Sequence, residues 1–406
     1  MPPAEAQRKL VRVARPGSTR GGLVSALTRS AAAAVDRAVT VAAAAQLRRG
    51  KPSRTERLSL DERLAALDAI AQSYPEAERY FRSARSIQPA LREVRALPAD
   101  WAPRGATSLS SGSASGSARA ASAAPGQVLD LAWPSDYTCY LPALDERYAR
   151  ARENHTASAR LFRHVGAPRP AAVLIHGYLG GHFPTEERVW PVRWLFRKGL
   201  NVALFVLPFH GVRRAAERRG PPPFPGSDPR MTNEGFRQGM ADARDLIGWL
   251  RGGAGAADAP QGPASAPVGV MGMSLGGYST ALLATLEPEL AFAVPLIPLA
   301  SLADFARDQG RLGGTEAERR LQHAALARAG RVVSPLERRL VMPRERVLVI
   351  GAEADRITPI AHAEQLARHF DAPLESWPGG HLLQLGRSEA FRSVGRLLDE
   401  LGVTHS

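Results

Sequence analysis

From about residue 127 onward, short apolar runs rich in β-branched residues alternate with stretches whose apolar positions recur at helical spacing. The runs are 171–175, 201–207, 268–271, 291–296 and 346–350. Each is apolar at consecutive positions, so each reads as a strand covered on both faces rather than one with a wet side. Between them, Phe236, Met240, Ala243, Ile247 and Leu250 follow at spacings of 4, 3, 4 and 3, which puts them on one stripe of a helix. Ile360, Ala363, Leu366 and Phe370 form a second such stripe, and Phe391, Val394, Leu398 and Leu401 a third. Buried strands joined by crossover helices predict a mostly parallel α/β sheet with helices on both faces.

The first third of the chain has a different pattern. Ser59 and Glu62 fit a capping box, and Leu64, Leu67 and Ala71 follow at helical spacing. Ser73 with Pro75 marks a second helix start, with Tyr80, Phe81, Ile87, Leu91 and Val94 supplying apolar surface for further turns. Residues 55–104 therefore read as a helical appendage. Residues 105–126 are almost entirely small or polar and read as a linker. Residues 1–54 read as a low-complexity, largely disordered basic arm, apart from an Ala-rich stretch at 23–47 in which Arg29, Asp36 and Arg37 interrupt any apolar face. Charged, apolar and cleavage regions do not follow in the order of a secretory signal. Residues 127–406 remain as the domain that carries chemistry.

Composition sharpens this division. The 406 residues carry 53 Lys and Arg against 39 Asp and Glu. Residues 1–125 hold 20 basic and 10 acidic side chains, whereas 126–406 hold 33 and 29. The basic surplus thus belongs mainly to the arm, where it is either a solvated face or a weak contact for an acidic membrane. No helix-turn-helix, zinc or RNA-binding motif supports a specific nucleic-acid partner. A single cysteine, Cys139, excludes an internal disulfide framework and any cysteine-based metal cluster. The longest apolar runs are too short to span a bilayer. A cytoplasmic protein, at most peripheral to a membrane, is expected, with no metal or other cofactor.

The chemistry centres on the run that ends in Gly272-Met273-Ser274-Leu275-Gly276 and leads into a helix. A strand, a Gly-x-Ser-x-Gly turn and a helix push a serine hydroxyl out of the sheet, and the helix N-terminus faces developing negative charge. A nucleophilic serine needs a base, and the base an orienting acid. Asp355 follows Ser274 by 81 residues, just past a strand end, with Glu353 and Asp371 as rival acids. His381 follows Asp355 by 26 residues, on the loop Pro378-Gly379-Gly380-His381 after a short strand at 373–377. The order Ser, Asp, His is that of the α/β-hydrolase triad. An oxyanion hole would come from the backbone N–H of Leu275 and of Tyr178, with Gly177 and Leu179 as neighbouring alternatives on the loop after 171–175.

His176, His182, His210 and Arg213 are candidate substrate contacts. Each also has a plain structural reading: His176 as a brace for the oxyanion loop, His182 as a loop histidine, and His210 with Arg213 as a hydrogen-bonded, ion-paired turn. Residues 300–342, with Leu302, Phe305, Leu312, Leu321, Ala325 and Leu326, read as a helical insertion able to cap the site.

These motifs give residues 127–406 the look of an α/β hydrolase. Finer features resemble the group around alpha/beta hydrolase domain-containing protein 18. They are Leu207-Pro208-Phe209-His210-Gly211-Val212-Arg213, Gly272 to Gly277, Val294-Pro295-Leu296-Ile297-Pro298 and Gly379-Gly380-His381. At the oxyanion loop the chain departs from that group. His176-Gly177 stands where a Gly-Thr-Gly-Asp-like turn is expected, closer to ordinary esterases and dienelactone-hydrolase-like enzymes. The expectation is a cofactor-independent serine hydrolase that cleaves a small or lipid carboxylic ester through an acyl-enzyme. Alternatives are a thioesterase or peptidase on the same triad, or a non-catalytic binding protein on this fold with a membrane-contacting arm.

Overall fold

The structure is a computed structural model and describes residues 28–38, 58–75, 79–103, 124–252 and 266–404. Among the described residues nine strands form one sheet: β1 (Ala90–Ala96), β2 (Gly126–Pro134), β3 (Thr156–His164), β4 (Ala171–Ile175), β5 (Asn201–Phe205), β6 (Val268–Met273), β7 (Ala293–Leu296), β8 (Val349–Ala352) and β9 (Leu374–Trp377). Their spatial order is β1-β2-β3-β5-β4-β6-β7-β8-β9. The pairs β1/β2, β2/β3 and β3/β5 are antiparallel and the rest parallel.

The strand order reverses at β4, which lies between β5 and β6. At such a switch point the loops from neighbouring strands diverge to opposite faces and leave a crevice at the carboxyl edge. The register pairs Ile175 with Gly272, and Gly272 with Pro295. The loops after β4, β6 and β7 therefore start at one level, at the mouth of that crevice.

Helices are α1 (28–38), α2 (Leu60–Gln72), α3 (Asp145–Ala149), α4 (Phe183–Val189), α5 (Val192–Arg197), α6 (Pro229–Arg251), α7 (Leu275–Ala284), α8 (Leu302–Asp308), α9 (Glu316–Ala329), α10 (Ile360–Phe370) and α11 (Ser388–Glu400). Alternate residues of one strand supply two cores. Val173 and Ile175 join Phe236, Ile247, Leu282 and Leu366 on one face, while Ala172 and Leu174 join Phe196, Met271, Val394 and Leu398 on the other. Helices thus cover both faces, as the continuous apolar runs require. This is the α/β-hydrolase fold. No described helix is long and apolar enough to cross a membrane.

The amino-terminal region departs from its sequence reading. Ser59 does cap α2: Glu62 N–H donates to Ser59 Oγ at 3.2 Å, and Ser59 N–H donates to Glu62 Oε2 at 2.7 Å. No helix runs through residues 82–96. Residues 82–89 carry no regular element, and Leu91 and Val94 lie in β1, which pairs with β2. Every residue of β1 is exposed, so no apolar alternation marked it as a strand; the free edge of β2 decided it. The segment is bound closely to the rest. Arg82 forks onto Asp245 at 2.8 and 2.6 Å, Arg85 N–H donates to Asp245 at 2.7 Å, and Tyr80 is fully buried beside Tyr74 and Tyr140. Within the arm, 28–38 is helical. The rest of 1–54, and 104–123 of the linker, lie outside the described residues.

Candidate active site

Ser274 occupies the turn between β6 and α7 with φ 58° and ψ −113°. Non-glycine residues rarely adopt that conformation, at a cost of about 1–3 kcal/mol. The surrounding structure enforces it. Ser274 N–H donates to Leu296 O at 3.0 Å, and Tyr278 N–H to Ser274 O at 3.0 Å. A Cβ at Gly272 would lie 2.0 Å from Gly276 O, and one at Gly276 2.0 Å from Ile175 O. The two glycines of Gly-x-Ser-x-Gly are therefore needed for close backbone approach, and the serine is left half-buried at the crevice.

The loops carrying Asp355 and His381 follow β8 and β9. The Asp355 carboxylate is fully buried and accepts from Ile357 N–H at 2.8 Å and Thr358 N–H at 2.7 Å. Its Oδ2 lies 2.7 Å from His381 Nδ1. That contact puts the proton on Nδ1 and leaves Nε2 as the basic nitrogen. Thr358 Oγ1, absent from the sequence reading, lies 3.0 Å from Asp355 Oδ2, from His381 Nδ1 and from Ile297 O. Its single proton serves one acceptor at a time, so it links the acid, the base and the end of β7.

The His381 loop rests against the elbow. Gln384 Nε2 donates to His381 O at 3.0 Å and meets Met273 Sδ at 3.2 Å. Among the described residues Ser274 Oγ has no hydrogen-bond partner, and catalytic contacts of this kind often tighten only with substrate bound. The rival acids are elsewhere. Glu353 pairs with Arg29 at 3.1 Å, and Asp371, at the left-handed cap of α10, pairs with Arg344.

The loop after β4 reaches the same place, since a Cβ at Gly177 would sit 3.5 Å from Ser274 Cβ. Tyr178 is exposed, and its hydroxyl donates to Pro222 O at 3.3 Å. Among the described residues neither Tyr178 N–H nor Leu275 N–H donates to an acceptor, so both are available to an oxyanion. His176 stays beneath the loop. Its Nδ1 lies 2.7 Å from Gly177 O, and its Nε2 accepts from Leu207 N–H at 3.0 Å. Complete burial pushes its pKa down to about 3, so it is a neutral brace.

His210 is also buried, with Nδ1 2.8 Å from Pro208 O, and burial pushes its pKa down to about 4. Among the described residues its Nε2 has no hydrogen-bond partner. Arg213 is fully buried, pairs with Asp242 at 2.8 Å and donates to Val206 O and Asn154 O. Those contacts turn its two terminal nitrogens into the fold, while among the described residues its Nε has no hydrogen-bond partner. His182 is exposed at the start of α4. The insertion at 300–342 is helical and is tied to the acid loop by Gln309 Nε2, which donates to Ile357 O at 2.9 Å. His323 joins its two helices through Asp304 at 2.8 Å. Of the apolar positions expected there, Ala325 is buried, Leu302 and Phe305 pack partly buried against the core, and Leu321 is 54% exposed.

Comparison with known proteins fits this geometry. The family model for X-Pro dipeptidyl-peptidase (S15 family) matches residues 226–362, which include the elbow and Asp355. The matched segment lies within a chain that has the α/β-hydrolase fold and a serine at the turn between β6 and α7. An uncharacterized protein of Mycobacterium tuberculosis strain H37Rv is 32% identical over 263 residues, 64% of this chain and 60% of its own length, and its counterpart in strain CDC 1551 matches equally. The chain thus spans about 60% of the length of the curated relatives it matches. Solved structures similar to it include acetyl xylan esterase 1 from Thermoanaerobacterium sp. JW/SL YS485, at 17% identity, 82% of this chain, 94% of that chain and a TM-score of 0.47. An acetyl xylan esterase from Paenibacillus sp. R4 aligns at 15% identity, 88% of this chain, 98% of that chain and a TM-score of 0.48.

Proposed function

We propose that the chain hydrolyses carboxylic esters through an acyl-enzyme. His381 Nε2 takes the Ser274 proton as Oγ attacks the ester carbonyl. Asp355 holds the imidazole tautomer and stabilises the imidazolium, and the Tyr178 and Leu275 amides take the oxyanion. His381 then returns the proton to the leaving alkoxide, and a water activated by the same nitrogen releases the acid. The observation that carries this reading is the 2.7 Å contact between His381 Nδ1 and buried Asp355, on loops packed against a strained serine elbow.

The family match favours a second reading, a peptidase on the same triad. An enzyme that reads a free peptide amino terminus needs an unspent carboxylate to hold the ammonium group. Asp355, Asp36 and Glu186, bound into the three site loops, already accept from protein N–H groups, and this supports the ester. A thioester would meet the same groups.

The experiment sets p-nitrophenyl esters of graded acyl length beside an X-Pro p-nitroanilide, with fluorophosphonate labelling. Ester turnover and labelling by the wild type, both lost in Ser274→Ala, are expected, with a drop of several orders of magnitude. Equal labelling of Ser274→Ala would remove the serine from its role, and turnover of the anilide alone would give the site to peptides.

On the motifs at 207–213, 272–277, 294–298 and 379–381 we also place the chain near the alpha/beta hydrolase domain-containing protein 18 group, without carrying over a substrate. To the basic arm we assign weak contact with acidic membrane surfaces, supported by its charge.

A further inference from the structure

Helix α1 belongs by sequence to the arm, yet it ends on the catalytic loops. Asp36 is fully buried. Its Oδ2 accepts from His381 N–H at 2.7 Å and from Arg356 N–H at 3.2 Å, and its Oδ1 accepts from Leu382 N–H at 3.0 Å. One carboxylate therefore holds the backbone of the base loop at His381 and of the acid loop at the residue after Asp355. Hydrogen bonds from N–H groups to an ionised carboxylate are among the stronger ones in proteins. Three of them satisfy the acceptors of the buried carboxylate.

A second, independent feature fits the same contact. A Cβ at Gly380 would lie 2.9 Å from Asp36 Oδ2 and 3.0 Å from Ala32 Cβ. The residue before the base thus has no side chain where the helix must approach.

We propose that Asp36 is a positioning residue of the active site. By clamping these three amides it fixes the His381 ring over the elbow and sets the spacing between the acid and base loops. Asp36 touches neither substrate nor reacting atoms. It acts through His381, so the inference rests on the triad reading. Its expected signature is on turnover rather than on binding, because a displacement near 1 Å from productive geometry costs about 10²-fold.

The test uses the full chain. With a p-nitrophenyl ester, Asp36→Ala should lower kcat by about 10- to 100-fold with little change in KM, and should slow fluorophosphonate labelling of Ser274 in parallel. Asp36→Asn keeps one carbonyl acceptor and should lose less; it also carries the test if the alanine variant fails to fold. Arg29→Ala removes the ion pair to Glu353 on the same helix without touching the amides, and should stay near wild type in kcat. Wild-type kcat in a folded Asp36→Asn or Asp36→Ala overturns the inference, and so does an equal kcat loss in Arg29→Ala, which would reduce the effect to helix docking. An inactive Ser274→Ala beside fully active Asp36 variants removes the inference alone; an active Ser274→Ala removes the triad reading with it.

Discussion

At the scale of single residues, burial and hydrogen bonding separate the site's histidines. His381 presents Nδ1 to Asp355, whereas His176 and His210 are locked against backbone carbonyls beneath the loops. A local sequence reading cannot make that distinction, because each histidine follows a strand. The difference has a measurable consequence. The pKa values of His176 and His210 fall from the ordinary 6.5 to about 3 and about 4. Between those values and 6.5 the unfolded chain binds protons that the folded chain does not. Stability is therefore present in full above pH 6.5 and is lost as pH falls toward 4. Each histidine should contribute a slope of roughly 1.4 kcal/mol per pH unit in that window. Urea midpoints at pH 7, 6 and 5 should fall accordingly, and His210→Gln should flatten the dependence; an unchanged slope in that variant would contradict a neutral, buried His210.

At the scale of elements, the loop after β5 is held to α6 by a fully buried ion pair between Arg213 and Asp242. Ser135 Oγ also donates to Asp242 at 2.8 Å. Removing one partner of such a pair strands a charge in the interior and typically costs about 3–5 kcal/mol. Arg213→Met should lower stability by that order in chemical denaturation, and adding Asp242→Asn should recover part of the loss. Because Arg213 is enclosed, the folded variant should keep its KM for esters; a raised KM would return Arg213 to the substrate site. The elements that the sequence made legible are those with an internal period or cap. They are the helix carrying Phe236 and Ile247, the α2 capping box and the strand into Ser274. β1 was not legible, since its outward-facing residues carry no alternation and its pairing depends on the edge of β2.

At the scale of the whole molecule, the charge surplus and the proposed active site share a segment. Most of the excess basic residues lie in 1–125, but helix 28–38 of that region sits on the loops carrying Asp355 and His381. If the arm contacts acidic surfaces, cosedimentation of the full chain with phosphatidylserine-containing vesicles should weaken steeply between low and high salt. Phosphatidylcholine vesicles should bind little, and salt-independent or absent binding would remove the membrane assignment.

The sequence alone determined strands β4 to β9, though not β2 or β3, together with the Gly-x-Ser-x-Gly turn and the chain order Ser274, Asp355, His381. Those features depend on local periodicity and on residues close together in the chain. Only the tertiary structure brought in Thr358 and Asp36, made Arg213 a buried strut and turned 90–96 into a strand. Each of these is decided by a partner distant in sequence, such as Asp36 with His381 or Arg213 with Asp242. The free energy of burying a charge or pairing an edge depends on what the fold places beside it, and local sequence does not specify that neighbour.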